Sequence, residues 1–136
     1  DGQPIGTHLY VCGPKGMIDW VRTTAAAAGW PDAHVHHEEF LAPQPGKPFA
    51  VRLAKSGLSV EVGEHESLLE AIERLGVEPP YLCRGGACGQ CETDVLESVG
   101  TFIHRDHWLE DDEKSSGVKI MPCVSRFEGK TLVLDR

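Results

Sequence analysis

Four of the five cysteines in this 136-residue chain follow a spacing that can hold iron. Cys83, Cys88 and Cys91 lie on one short segment, and Cys123 follows much later in the chain. The C-x4-C-x2-C…C spacing is that of plant-type [2Fe–2S] sites, in which thiolates enclose two bridged irons. The segment is also rich in glycine, which lets a backbone bend closely around an inorganic core. The sequence therefore predicts these four cysteines as ligands of the metal and the cofactor, and it predicts no catalytic side chain.

Three other uses of cysteine fit this pattern less well. Structural zinc sites usually take two short pairs of ligands, whereas Cys123 has no neighbouring Cys or His. A disulfide framework is disfavoured by the odd number of cysteines and by the lack of a secretory signal in the sequence. A Rieske centre needs two histidines in place of two cysteines, and no histidine lies between Cys83 and Cys91 or beside Cys123. Zinc is the metal alternative that stays open.

The overall composition narrows the class of protein and of partner. The chain has 21 acidic and 13 basic residues, which gives a formal net charge of −8. Such a charge disfavours nucleic acid, which requires a basic surface. It suits either a carrier that docks on a basic partner or solubility alone. The apolar stretches are too short to span a membrane, and reduced, metal-binding thiols indicate a cytoplasmic protein.

A change in composition near residue 42 predicts two regions joined by a linker. Three prolines fall in the stretch 42–48, which predicts an extended, semi-rigid linker over residues 43–48. Before the linker, the pattern predicts a buried strand over 7–12, a turn over 13–16, a helix over 17–28 and a strand over 34–40. A unit of this size cannot bury its own apolar faces. We therefore expect residues 1–42 to pack against further polypeptide as part of a larger α/β sheet.

After the linker, residues 49–136 predict a small α+β domain with a mixed sheet. Ser67 and Glu70 form a capping-box pattern that opens a short helix. Alternating apolar and polar residues predict a hairpin of two strands over 49–53 and 58–62. The rest of the pattern predicts strands over 91–97, 118–121 and 131–134, and an acidic helix over 106–115 that ends at Gly117.

Two stretches of the sequence resemble a known family of electron-transfer proteins. The segment C-R-G-G-A-C-G-Q-C from Cys83 to Cys91, with P-C-V-S-R around Cys123, resembles plant-type ferredoxins. The motif Y-V-C-G-P at residues 10–14 looks like the late strand and turn of an NAD-binding ferredoxin-reductase domain. The order of the two regions is similar to that of the phthalate dioxygenase reductase family. The resemblance implies an α+β fold, with a β-grasp ferredoxin domain over 49–136 preceded over 1–42 by a strand–helix–strand remnant of an α/β NAD-binding domain.

This resemblance also implies an electron path and a set of partners. In that family electrons pass from NADH through FMN to a [2Fe–2S] cluster and then to a terminal oxygenase. It implies that Cys83 and Cys88 hold one iron and that Cys91 and Cys123 hold the other. The sequence lacks the family's flavin-binding β-barrel and most of its NAD domain. We therefore expect FMN and NAD(P)H to bind a missing preceding segment or a separate subunit.

These implications define the expected function and its alternatives. The chain is expected to be the iron–sulfur portion of an oxidoreductase, an oxygenase reductase component, and by itself only to carry electrons. A stand-alone ferredoxin is the first alternative. A zinc-stabilised interaction module is the second, and colour separates them because iron–sulfur clusters absorb visible light whereas zinc does not.

Individual side chains around the motifs carry their own expectations. Cys12 is expected to be a small buried side chain, and Phe40 and Trp108 are expected to be packing residues. Tyr81 and Leu82 are expected to anchor the cysteine segment through apolar contacts. For Arg84, a hydrogen bond to the cluster edge or a partner and a solvated surface position are both open.

Overall fold

The computed structural model describes residues 3–13, 15–39 and 43–136. The chain divides into two units, Asp1–Ala42 and Pro43–Arg136. None of the helices formed by the described residues has the length and apolar character needed to cross a bilayer.

The first unit is a single strand–helix–strand crossover. Strand β1 (Leu9–Gly13) lies parallel to strand β2 (Val35–Glu39), with Leu9 opposite Val35. Helix α1 (Lys15–Ala27) and a short 3-10 turn over Asp32–His34 connect them. The helix begins two residues before the predicted start, within the predicted turn. Phe40, the predicted end of the second strand, lies outside the described residues.

The apolar residues of the first unit are only partly buried. Helix α1 buries Ile18 and Ala25, but Trp20 on the same helix is 67% exposed. Strand β1, which we expected to be buried, leaves Tyr10 74% exposed. The expectation of a buried strand is wrong for the described unit, because a sheet of two strands and one helix leaves apolar surface uncovered.

The second unit is built on a five-stranded mixed sheet. Its strands are β3 (Phe49–Leu53), β4 (Leu58–Val62), β5 (Thr93–Ile103), β6 (Lys119–Ile120) and β7 (Arg126–Leu134), and its helices are α2 (Leu68–Arg74) and α3 (Asp111–Ser116). The strands lie in the order β4-β3-β7-β5-β6. Only the central pair β3–β7 is parallel, and the predicted hairpin β3–β4 is confirmed. This mixed sheet with its packed helix confirms the α+β fold.

Helix α2 packs on this sheet and begins at the predicted capping box. The Ser67 hydroxyl accepts the Glu70 N–H at 3.1 Å, and the Glu70 carboxylate accepts the Ser67 N–H at 2.8 Å. These two bonds satisfy donors that a helix start otherwise leaves free. The buried Leu68 and Ile72 then join a core that includes Phe127 of β7 and Leu53 of β3.

Strands β5 and β7 extend well beyond the predicted limits. Gly100 and Gly129 face each other across the pair, and a Cβ on either would collide with the opposite backbone. These two glycines therefore allow a close approach of the backbones inside a long ladder.

The segment after β5 is a turn followed by a helix that is shorter than predicted. Helix α3 starts at Asp111, whereas the prediction began at Asp106. The Asp106 carboxylate accepts the N–H groups of Trp108 and Leu109 at 3.3 and 2.9 Å. Because this side chain competes for backbone donors, residues 106–110 form a turn instead of a first helical turn. Gly117, in the left-handed region at φ 66°, ends the helix as predicted.

The predicted linker segment is hydrogen-bonded to the second unit. The buried guanidinium of Arg126 donates to the carbonyl oxygens of Gly46 and Lys47 at 3.2 and 3.0 Å. Arg105 donates to the carbonyl oxygens of Gln44 and Pro45 at 2.8 and 3.0 Å. Residues 44–47 are therefore attached to the sheet of the second unit.

Candidate metal centre

Residues between α2 and β5 form an irregular loop that carries three of the cysteines. Gly86 and Gly89 adopt positive φ angles of 80° and 75°, which residues with side chains rarely adopt. A Cβ at Gly89 would also collide with the indole ring of Trp108. A Cβ at Gly86 would likewise lie 2.8 Å from a methyl carbon of Val124, so glycine is required at both positions for its conformation and for space.

Cys83 and Cys88 form the outer pair of thiols, at the surface of the loop. The N–H of Cys83 points at the Cys88 sulfur at 3.5 Å, and the N–H of Gly85 points at the Cys83 sulfur at 3.3 Å. Burial raises the pKa of Cys83, but the N–H groups of Ala87 and Gly85 outweigh it and lower the pKa to about 6. Donors aimed at sulfur stabilise the thiolate, which is the form that binds metal.

Cys91 and Cys123 form the inner pair, which is buried. The two thiols lie within hydrogen-bonding reach of each other. The hydrogen bond from Cys123 lowers the pKa of Cys91 to about 7, and donating that proton raises the pKa of Cys123 well above its ordinary value. Apolar neighbours surround both sulfurs, namely Leu69, Leu109, Met121 and Val124.

Helix α2 and the strands bring the inner pair together. The Leu69 N–H in the first turn of α2 donates to the Pro122 carbonyl at 2.9 Å. Cys123 is therefore held by the start of α2, while Cys91 lies two residues before β5. The Gly86 N–H from the cysteine loop also points at the Cys123 sulfur. These contacts bring the distant fourth cysteine to Cys91 and to the backbone of the cysteine loop.

The arrangement fits a binuclear cluster in its donor set. Among the described residues, no group of three or more His, Cys, Asp or Glu converges as a site for one metal ion. The four cysteines instead form two pairs, and a [2Fe–2S] cluster divides its four thiolates between two irons. All five cysteines are free of disulfides. The backbone N–H groups directed at all four sulfurs match a cofactor that carries negative charge.

Arg84 is engaged with neighbours within the chain. Its guanidinium forms an ion pair with Glu73 of α2 and lies 3.9 Å from the centre of the Tyr81 ring. The hydrogen bonds that Arg84 donates to the Glu73 carboxylate raise the pKa of Arg84. Its φ of 52° is the one positive value among the described residues other than glycine, which is a strained conformation for such a side chain. The pair with Glu73 joins the loop to α2.

Two expectations for aromatic and apolar side chains at the loop are wrong. Tyr81 and Leu82, predicted to be apolar anchors, are 51% and 73% exposed. Trp108, predicted to pack in the core, is 47% exposed and donates its indole N–H to Glu92 at 3.0 Å. Its ring covers Gly89 of the cysteine loop, so it packs on the site instead of in the interior.

Cys12 lies on the first unit and is exposed, so the expectation of a buried side chain is wrong. The same unit holds a set of stacked rings that sequence reasoning missed. His8 is stacked on His34 and His36 with ring centroids 4.4 and 5.1 Å apart, and its Nδ1 lies 2.8 Å from Nε2 of His36. The signal for the stack was alternation along two parallel strands, which places Tyr10 opposite His36.

Known proteins match most of this chain. The family model for the 2Fe-2S iron-sulfur cluster binding domain matches residues 51–128. The beta subunit of a heme-dependent oxidative N-demethylase from Ectopseudomonas mendocina is 50% identical over 134 residues, covering 98% of this chain and 42% of that protein. The carnitine monooxygenase reductase subunit of Acinetobacter pittii is 47% identical over 135 residues, covering 98% of this chain and 44% of that protein.

A solved structure gives the same match. Phthalate dioxygenase reductase, described as a modular structure for electron transfer from pyridine nucleotides to [2Fe–2S], aligns with a TM-score of 0.62 and 39% identity. The alignment covers 99% of this chain and 41% of that one. The chain thus spans less than half the length of these relatives. With its cysteine spacing, its mixed sheet and the match over residues 51–128, the chain belongs to the family of 2Fe–2S iron–sulfur cluster binding domains.

Proposed function

We propose that this chain is the iron–sulfur part of an oxygenase reductase and carries single electrons. Cys83 and Cys88 hold one iron of a [2Fe–2S] cluster, and Cys91 and Cys123 hold the other. The observation that carries the proposal is the arrangement of these four thiols as two pairs, with backbone N–H groups directed at their sulfurs.

Each part of the site has a distinct task in this proposal. When bound, a [2Fe–2S] cluster takes up and releases one electron at a time. The inner pair is buried, whereas Cys83 is exposed and Cys88 half-buried. The outer pair therefore forms the edge at which an electron enters or leaves. The backbone donors from Gly85 and Gly86 stabilise negative charge on the sulfurs and so influence the reduction potential.

The larger system is proposed from relatives that are oxygenase reductase components by name. FMN and NAD(P)H bind to a flavin- and NAD-bearing polypeptide, either a preceding segment or a separate subunit. The first unit is the end of the NAD-binding domain, residues 43–48 are the linker and residues 49–136 are the ferredoxin domain. A terminal oxygenase receives the electrons, and the use of cysteines as free thiols supports a cytoplasmic location.

Metal analysis of cysteine variants tests the proposal. The 136-residue chain is reconstituted anaerobically with ferrous iron and sulfide, and iron, labile sulfide and zinc are measured beside the visible spectrum. We expect two irons and two sulfides. Cys88→Ser should lose the visible absorption, whereas Cys12→Ser, the matched control outside the site, should keep the full cluster. Zinc without sulfide, or loss of iron in Cys12→Ser, would contradict the ligand assignment.

The same samples test the place of the chain in the larger system. Dithionite should bleach the visible absorption of the reconstituted chain, whereas NADH alone should leave it unchanged. Adding a flavin- and NAD-binding reductase polypeptide should allow NADH to bleach it. Sustained NADH oxidation by the chain without that addition would show that the proposed division of roles is wrong.

A further inference from the structure

Asp106 is a buried carboxylate that lies behind the cysteine loop and belongs to none of the ligand pairs. Its side chain is fully shielded from solvent. One oxygen, Oδ1, accepts the Ser125 hydroxyl at 3.1 Å. The other, Oδ2, accepts the N–H groups of Trp108 and Leu109. Burying a carboxylate is costly unless hydrogen-bond donors surround it. These hydrogen bonds therefore stabilise the Asp106 carboxylate in the interior.

The backbone around Asp106 is in contact with both halves of the proposed site. A Cβ at Gly86 would lie 3.0 Å from the Asp106 Cα and 2.8 Å from a methyl carbon of Val124, so the loop passes directly over Asp106. The His107 N–H donates to the Gly86 carbonyl at 2.9 Å. Gly86 in turn directs its N–H at the Cys123 sulfur. Gly86 is therefore the one residue that separates Asp106 from this proposed ligand.

The carboxyl group of Asp106 is ionised in this position. Burial raises its pKa, but the hydrogen bonds from the Leu109 N–H and the Ser125 hydroxyl outweigh it and lower the pKa below the ordinary value. Two basic side chains lie close to it. Lys114 Nζ forms an ion pair with Oδ2 at 3.9 Å and donates to the Asp106 backbone carbonyl at 3.1 Å, and His104 Nδ1 lies 3.6 Å from Oδ1. Both ring nitrogens of His104 lack a hydrogen-bond partner within the described part of the chain.

We propose that Asp106 is a positioning residue that joins the cysteine loop to the Cys123 segment and holds a fixed negative charge next to the [2Fe–2S] cluster. This inference rests on the proposed cluster. Ser125 connects the carboxylate to the Cys123 segment, and the 106–109 turn connects it to Gly86 and, through Trp108, to Gly89. A buried charge acts strongly because little water screens it.

The charge of Asp106 predicts the direction in which the midpoint potential should change, whereas a packing role alone predicts no direction. Reduction adds one electron to the cluster, and a nearby negative charge opposes that addition. Asp106→Asn keeps the size of the side chain but removes the charge, so the midpoint potential should rise. Ser125→Ala removes one donor and keeps the charge, so its potential should not rise. Glu97→Gln removes one charge at an exposed position on β5, where water screens it, and is the matched control.

The test uses the full 136-residue chain and its variants, each reconstituted with iron and sulfide. Midpoint potentials are measured at pH 8, where an ordinary imidazole is neutral. Iron release to a chelator is followed in parallel. We expect a higher potential only in Asp106→Asn. Release should be about tenfold faster in Asp106→Asn and also faster in Ser125→Ala, as for other lost partners of metal ligands.

The outcomes separate this inference from the proposed function. A wild-type chain that binds no cluster refutes the proposed function. If the wild type is loaded and the potential of Asp106→Asn equals that of Glu97→Gln, the charge of Asp106 has no such role and the inference is wrong. If Asp106→Asn does not hold a cluster, Ser125→Ala decides: iron release at the wild-type rate overturns the inference, and faster release supports it.

Discussion

The two units of the chain differ in how far their apolar side chains are buried. In the second unit, a five-stranded sheet and α2 enclose a continuous core that contains Leu53, Ile72 and Phe127. In the first unit, one helix lies on a pair of parallel strands, and large side chains such as Ile5 and Trp20 are exposed. Both units are amphipathic in sequence, so the difference arises from the number of elements available to cover each apolar face.

This comparison teaches which unit is complete as a folding domain. Parallel strands occur in sheets that are covered on both faces, and the pair β1–β2 has a single helix to cover it. A domain below about 40 residues rarely buries enough surface to fold alone. The second unit has a closed core and caps its own helix. We therefore expect the second unit to fold independently and the first to depend on further polypeptide.

Expressing the two units as separate fragments should have the largest effect on folding. Residues 43–136, expressed alone and loaded with iron and sulfide, should unfold cooperatively, because the core and all four proposed ligands lie within them. Residues 1–42 alone should be unfolded, because their apolar faces have nothing to cover them. Circular dichroism and amide hydrogen exchange measure both. A folded, monomeric fragment 1–42 would remove the basis of the comparison.

Removing one large apolar side chain from each unit should sharpen the comparison between the two units. Phe127 is buried, with its ring edge-on to Phe49 and Phe102 at 6.4 and 5.1 Å. Phe127→Ala should lower the free energy of unfolding of the second unit by about 3–5 kcal/mol, the usual cost of such a cavity. Trp20→Ala, which removes a larger but exposed ring, should change that free energy by less than about 0.5 kcal/mol.

Denaturant unfolding followed by circular dichroism measures both changes. Phe127→Leu serves as the control, because it keeps most of the buried volume and should cost less than Phe127→Ala. Equal effects of the alanine substitutions at Phe127 and Trp20 would show that the two units share one cooperative core.

Lowering the pH should reveal a smaller contribution to the free energy of unfolding, which comes from an ion pair within the second unit. Glu66 accepts two bonds from Arg74 at 2.9 and 3.0 Å, and the hydrogen bond from Arg74 lowers its pKa. Because the pKa is lower in the folded state, this stabilisation is present above the unfolded value of about 4.3 and is lost as the pH falls towards the folded value. Arg74 is largely exposed, so the loss should be about 0.5–1 kcal/mol.

Glu66→Gln tests this contribution through the pH dependence of unfolding. The variant should be less stable than the wild type at pH 7, and the two should converge as the pH falls below about 4. Glu38→Gln, an exposed position in the first unit, should leave the stability curve of the second unit unchanged. Parallel curves for Glu66→Gln and the wild type down to acid pH would contradict the role of Glu66.

Local patterns in the sequence predicted the features that depend on few neighbours. The capping box at Ser67, the hairpin β3–β4 and the end of α3 at Gly117 each arise from backbone geometry within a few residues. The cysteine spacing likewise predicted the family of 2Fe–2S cluster binding domains, because a loop with three thiols can be recognised without knowing its surroundings. The residue pattern before the linker also predicted two strands, but it wrongly predicted the first one as buried.

Tertiary structure decided everything that depends on which segment lies next to which. The exposure of Trp108 and Tyr81 follows from where the cysteine loop passes over the surface, and composition holds no signal of that path. The burial of Asp106 and Arg126 was hidden because charged residues usually lie in water. Each is buried here because donors or carbonyl groups from distant segments surround it. The sequence by itself predicted the four proposed ligands and determined the local elements, whereas the folded chain decided which polar groups lie next to the cysteine loop.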